Sequence, residues 1–191
     1  NLNLGNIFTS FRISKKILLS KIAIVWSLIM NIIIKNRLLL YRGYKLKCCI
    51  GKSGSRKFKK EGDLSTPKGL FKLGLMYYRK DRLGKLKCSI KKKIITKNMG
   101  WCDDSNSKYY NKEIRFPFKY GAEKLYRKDK IYDILINIKY NVPVIKGKGS
   151  AIFLHLTNKN YKKTNGCIAI LKKDFLKIIK YINYKTKIFI K

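Results

Sequence analysis

Two short apolar runs near the C-terminal end limit what this chain can fold into more than any other feature. Ala151 to Leu154 ends on His155, the sole histidine of the chain, and Ile168 to Leu171 begins directly after Gly166 and Cys167. Both runs are too short for a helix and have the Ile, Leu and Phe content of buried strands. Eleven residues rich in Asn, Lys and Thr separate His155 from Cys167, closing on a Thr164-Asn165-Gly166 turn. The layout is strand, loop, strand. As neighbours in one sheet, the two runs place the histidine at the end of the first beside the cysteine at the start of the second.

That pairing has a chemical reading and a structural one. A thiol attacks as thiolate, and a nearby imidazole can take its proton and hold the pair as thiolate and imidazolium. Gly166 permits a tight turn before the nucleophile, turning backbone N–H groups toward an oxyanion. Alternatively, His155 is a satisfied strand-end histidine and Cys167 a small buried apolar residue, a common fate of free cysteine. The pair by itself leaves both open.

The remaining chain reads as one mainly β domain with one or two helices. Residues 1–36 form a basic segment in which Ile22 to Ile34 is apolar apart from Ser27 and Asn31. A positive flank before a short apolar run has the form of a signal or anchor, so membrane association through residues 17–34 is one expectation and a buried helix the other. Residues 37–191 form the domain proper. Arg37 to Tyr41 and Tyr44 to Ile50, hinged at Gly43, predict a hairpin with Tyr44, Leu46, Cys48 and Ile50 on one face. Thr66-Pro67-Lys68-Gly69 predicts a type I turn leading into a strand over Leu70 to Leu75. Short strands are expected over Leu86 to Ile90 and Lys93 to Thr96, within a long irregular stretch whose Trp101, Tyr109 and Tyr110 either tuck beneath a loop or line a groove. Ile131 to Tyr140 predicts a central strand. Asp174 is placed as the cap of a helix with Phe175, Ile178, Ile179 and Ile182 on its core face, and Lys187 to Ile190 as a last strand.

Composition narrows the function classes. The net charge is +36, from 46 basic and 10 acidic residues. Only eight of the 46 are arginine, and Ile and Asn are also abundant, so part of this charge matches the Lys-rich usage of AT-rich coding. The surface still favours an anionic polymer, either a carboxylate-rich mesh or a nucleic acid. The lysines are dispersed without a recognisable nucleic-acid motif, so no specific nucleic acid is expected. The five cysteines contain no C-x-x-C pair and there is one histidine, so neither a metal site nor a cofactor is expected.

The residues Gly149-Ser150-Ala151-Ile152-Phe153-Leu154-His155 and Thr164-Asn165-Gly166-Cys167-Ile168-Ala169 resemble the signature of the YkuD-type L,D-transpeptidases. Further stretches in the same order strengthen it: Ile50 to Gly54, Glu61 to Asp63, Thr66 to Phe71, Tyr78-Arg79, Asp81-Arg82, Gly100 to Asp104, and Tyr109 to Asn111. The likeness runs from about Arg37 to the C-terminus and follows the short-loop branch, departing from many members at Asn165 and Ala169. It implies an L,D-transpeptidase-like β-sandwich that transfers acyl groups between peptidoglycan stem peptides in the periplasm or cell envelope. It also implies Cys167 as nucleophile, His155 as base and then acid, the Leu156 carbonyl as the histidine's orienting partner, and amides around Gly166 and Cys167 for the oxyanion. Ser150, Thr164, Asn165, Trp101 and Tyr110 are the expected substrate contacts. Interception of the same acyl-enzyme by water would make the protein an L,D-carboxypeptidase or endopeptidase. A basic nucleic-acid-binding protein is the alternative from another class.

Overall fold

The computed structural model of the chain describes residues 30–191. Fourteen strands follow in order: β1 (Ile32–Lys35), β2 (Leu38–Tyr41), β3 (Tyr44–Lys47), β4 (Ser55–Arg56), β5 (Thr66–Pro67), β6 (Gly69–Tyr78), β7 (Lys92–Ile94), β8 (Met99–Cys102), β9 (Glu113–Arg115), β10 (Ala122–Lys124), β11 (Ile134–Ile138), β12 (Phe153–Thr157), β13 (Ile168–Leu171) and β14 (Lys187–Ile190). Two helices, Lys80–Leu83 and Lys172–Ile179, complete the described elements.

The main sheet runs β13-β12-β11-β6-β14-β1-β2-β3, with β7 alongside the far half of β6. Its two ends meet. Beyond β3, the Cys49 N–H donates to the Ala169 carbonyl at 2.7 Å and the Ala169 N–H donates back at 3.1 Å. The sheet therefore folds over on itself, hiding both edges and enclosing a core. The outcome is the mainly β, sandwich-like fold that the sequence predicts.

Strand period explains where that core sits. Met76 and Tyr78 of β6, Ile134, Ile136 and Ile138 of β11, and Leu154 and Leu156 of β12 point inward, joined by Phe175, Ile178 and Ile179 of the longer helix. The intervening residues Tyr77, Leu135 and Phe153 point outward into a second core, roofed by Met99 and Trp101 of the small sheet β10-β8-β9. Because β11 and β12 are covered on both faces, they read as continuous apolar runs and not as alternating ones. His155 shares the outward face with Phe153, and so belongs to the second layer.

Several sequence expectations change. Thr66 to Gly69 is extended, not turned, because its polar groups find distant partners. The Thr66 N–H bonds Gly54, the Lys68 N–H bonds Arg56, and the Thr66 hydroxyl bridges the Gly51 N–H and the Gly166 carbonyl, each between 2.7 and 2.8 Å. Leu86 to Ile90 is not a strand, and the ladder begins instead at Lys92. Asp174 caps nothing: the helix starts at Lys172 with Leu171 at its N-cap, and Asp174 is buried in the first turn. Of the apolar run at the start, Ile32 to Ile34 form strand β1 and pair with β14 and β2. Residues 22–29 of that run lie outside the described residues. No described helix is long and apolar enough to cross a membrane.

Candidate active site

The site grows from the parallel pairing of β12 and β13. Leu154 aligns with Ile168 and His155 with Ala169, so Cys167 sits just before β13, level with Phe153. The expected adjacency is therefore present, although His155 lies in the middle of its strand and not at the end. Phe153 donates its N–H to Cys167 Sγ at 3.3 Å, and the thiol donates to the Ala151 carbonyl at 3.1 Å. Ala151 holds φ at 50°, a left-handed conformation that costs a non-glycine residue about 1–2 kcal/mol and here aims its carbonyl at the sulfur.

Gly166 is required where it stands. Its φ is 141°, and a Cβ there would come within 2.9 Å of the Ser65 carbonyl oxygen. The turn is fastened by Thr164, whose hydroxyl donates to the Cys167 carbonyl and accepts the Gly166 N–H at 3.2 Å. The Gly166 amide, expected at the oxyanion, is thus already engaged by its own turn.

His155 is fixed on one side. Its Nδ1 lies 2.8 Å from the Leu156 carbonyl, which can only accept, so the proton sits on Nδ1 and Nε2 carries the lone pair. The Tyr132 ring packs edge-on against the imidazole with centroids 5.1 Å apart, and the Tyr132 hydroxyl donates to Glu123 Oε1 at 2.7 Å. The Arg127 guanidinium lies over the Tyr132 ring and 3.7 Å from Glu123.

Electrostatics correct the expected ion pair. Burial lowers the His155 pKa to about 4, against the opposing pull of the Leu156 carbonyl. Burial also pushes the Cys167 thiol up to about 12, and the nearby Glu123 carboxylate raises it further, with the Phe153 N–H and Lys59 opposing. Both groups are therefore neutral at pH 7. Among the described residues no hydrogen bond joins them. The resting state holds a thiol and an imidazole whose free nitrogen is ready to take a proton.

Around them lies a cavity of about 660 Å³. Cys167, His155, Leu156, Ser150, Thr164 and Asn165 all line it, so six of the residues expected at the site are gathered in one place. Ser150 is buried and donates to Glu61 at 2.7 Å, and Asn165 is exposed at the rim. Trp101 and Tyr110 do not line it. Trp101 is second-core packing, edge-on to Phe153 at 5.2 Å, with its indole N–H bonded to Asn111. Tyr110 is buried, donating to Glu61 and accepting the Gly149 N–H. The tucked-beneath alternative holds for both, because each polar tip finds a protein partner. Sequence reasoning did not single out Lys59, Glu123, Arg127 or Tyr132 among the cavity residues. Nothing in their spacing marks them, since Glu123 comes from β10, Lys59 from the loop between β4 and β5, and Arg127 and Tyr132 from the loop between β10 and β11.

Searches of curated proteins and of solved structures return no match. A family model of the L,D-transpeptidase catalytic domain, YkuD, matches residues 29–190, which is most of the chain and includes every residue of the cavity. With that match and this fold, the chain belongs to the YkuD family of L,D-transpeptidase catalytic domains.

Proposed function

We propose that the protein catalyses cysteine-dependent acyl transfer on peptidoglycan stem peptides in the cell envelope, as an L,D-transpeptidase working through a Cys167 thioester. The observation that carries this reading is that one open cavity holds both His155, with Nε2 unprotonated, and the Cys167 thiol, presented on the same sheet face by β12 and the start of β13. Attack requires the thiol to leave the Ala151 carbonyl. Sγ then bonds to the carbonyl carbon of the stem peptide while its proton passes to His155 Nε2. The Cys167 amide is the oxyanion donor left in the nucleophile turn, since the Gly166 N–H is held by Thr164. When the C–N bond breaks, the leaving amine takes the proton from Nε2 and a thioester remains. An acceptor amine then attacks, gives its proton to Nε2, and the departing sulfur recovers it. Each proton moves with bond formation, which suits two groups that are neutral at rest.

The test is incubation with purified muropeptides followed by mass spectrometry of products and protein. A thioester mass on Cys167, loss of the terminal D-amino acid and cross-linked products are expected, all absent in Cys167→Ala and lowered at least about hundredfold in rate by His155→Ala. Turnover retained by Cys167→Ala removes the mechanism. Trimmed stems without cross-links convert the reading to a carboxypeptidase using the same intermediate.

A further inference from the structure

A second concavity, of about 690 Å³, lies where β6 meets the loop that joins β11 to β12. Its walls include Leu70, Val142 and Ile145, which are 54, 63 and 56 % exposed. Val144 extends the same loop, and Phe189, aligned with Leu70 across the β6–β14 ladder, extends the sheet side; both are also exposed. Aliphatic side chains gathered like this on so charged a surface point to a contact with something apolar.

Cations ring the patch. Lys72, Lys139 and Lys148 line the concavity, and Lys146 follows Ile145 directly; all are exposed. No carboxylate is among the lining residues. Tyr140, on the same wall, feels the charges of Asp63 and Glu61, but Asp63 is already held by Lys59 at 2.6 Å and Glu61 by Tyr110 and Ser150. The loop is also set in advance. The Asn141 side chain accepts the Ile145 N–H and donates to the Ile145 and Gly149 carbonyls, and the Tyr140 hydroxyl donates to the Lys148 carbonyl at 2.6 Å. Presenting the apolar tips therefore needs little further ordering.

We propose that this face docks on an anionic lipid bilayer, with Val142 and Ile145 entering the headgroup boundary and the lysines resting on anionic headgroups. A carboxylate polymer would satisfy the lysines but leave the aliphatic tips in water. A bilayer surface offers an anionic layer directly above an apolar one, at the depth of a side chain. The loop then runs into Ser150, Ala151 and Ile152, which line the catalytic cavity. Five residues from Ile145 to Ser150 span at most about 18 Å, so docking holds that cavity close to the membrane surface.

The experiment uses the full chain with vesicles of phosphatidylcholine alone or mixed with phosphatidylglycerol. Ile145→Trp places a reporter on the loop: its added emission, relative to the unsubstituted protein, is expected to shift blue and to be quenched by brominated acyl chains only with the anionic vesicles. Val142→Ser combined with Ile145→Ser, which leaves the charge unchanged, is expected to weaken partitioning about tenfold. Three results overturn the proposal. One is vesicle binding with no shift at position 145, which reduces the contact to general charge attraction. Another is equal binding to neutral vesicles. The third is the same blue shift with soluble polyglutamate, which assigns the face to an anionic polymer. Because none of these readouts involves turnover, they stand apart from the test of the acyl-transfer reading.

Discussion

At the scale of a residue, burial sets what His155 contributes to stability as well as to chemistry. Its pKa is about 4 in the folded protein against an ordinary 6.5, so between those values the unfolded chain binds a proton that the folded one refuses. A depressed pKa gives a contribution that is complete above about pH 6.5 and is lost as pH falls through about 4. Stability should therefore rise with pH across that window, by roughly 3 kcal/mol at full separation of the two values. Urea unfolding of the protein and of His155→Gln at pH 7 and pH 4.5 measures it. The variant is expected to lose markedly less stability on acidification; equal losses in both proteins would assign the acid sensitivity to the carboxylates. His155 and Cys167 were legible in the sequence because each is chemically distinct and closes or opens a strand-like run. Their neutral state was not, because it arises from the second core and from Glu123, which reaches the site from β10.

At the scale of elements, the nucleophile turn is held by a strand a hundred positions away in sequence. The Thr66 hydroxyl, fully buried, accepts the Gly51 N–H and donates to the Gly166 carbonyl, tying β5 and the loop after β3 to the turn that carries Cys167. Thr66→Val keeps the shape and removes both bonds, leaving a buried donor and a buried acceptor without partners. A loss of about 2–4 kcal/mol is expected in chemical denaturation, with Thr66→Ser recovering most of it. A loss under about 1 kcal/mol in the valine variant would mean that water replaces the hydroxyl. The same bonds explain why the turn expected at Thr66 to Gly69 is extended: Pro and Gly favour a local turn, but the distant partners outweigh that preference. Most strands of the main sheet were readable because an apolar or alternating run has a turn signal beside it, as in Tyr41-Arg42-Gly43-Tyr44, whereas β1 was not, because Ile32 to Ile34 continue the apolar run read as an anchor or a buried helix. The β10-β8-β9 sheet was not. Its strands have three or four residues each and include Gly100, Glu113 and Lys124, so nothing in their local pattern outcompetes a loop assignment.

At the scale of the whole molecule, the charge total is written in the composition while its distribution is a product of the fold. Among the described residues seven ion pairs engage Asp63, Asp81, Asp133, Glu113, Glu123, Asp129 and Asp174. Three of the ten carboxylates, Glu61, Asp103 and Glu123, line the catalytic cavity. With 46 cations to 10 carboxylates most cations have no carboxylate to neutralise them, and two like charges about 10 Å apart repel by roughly 0.4 kcal/mol in water before screening. Summed over many neighbours, this repulsion opposes the compact state, and salt weakens it because the screening length falls from ~30 Å at 0.01 M to ~8 Å at 0.15 M. Salt also weakens the ion pairs, but five of them are contacts of 2.6 to 2.7 Å, most of them partly buried, and are screened less than the long-range repulsion. Stability should rise on the order of 1 kcal/mol or more between 0.01 and 0.3 M sodium chloride, measured by unfolding in urea, which adds no ions of its own. Chloride suits the test, since sulfate strengthens apolar burial independently of charge. Unchanged or falling stability across that range would mean that the unfolded chain carries the same repulsion as the folded one, leaving the closed β-sheet and its two cores to set stability without opposition from the charge.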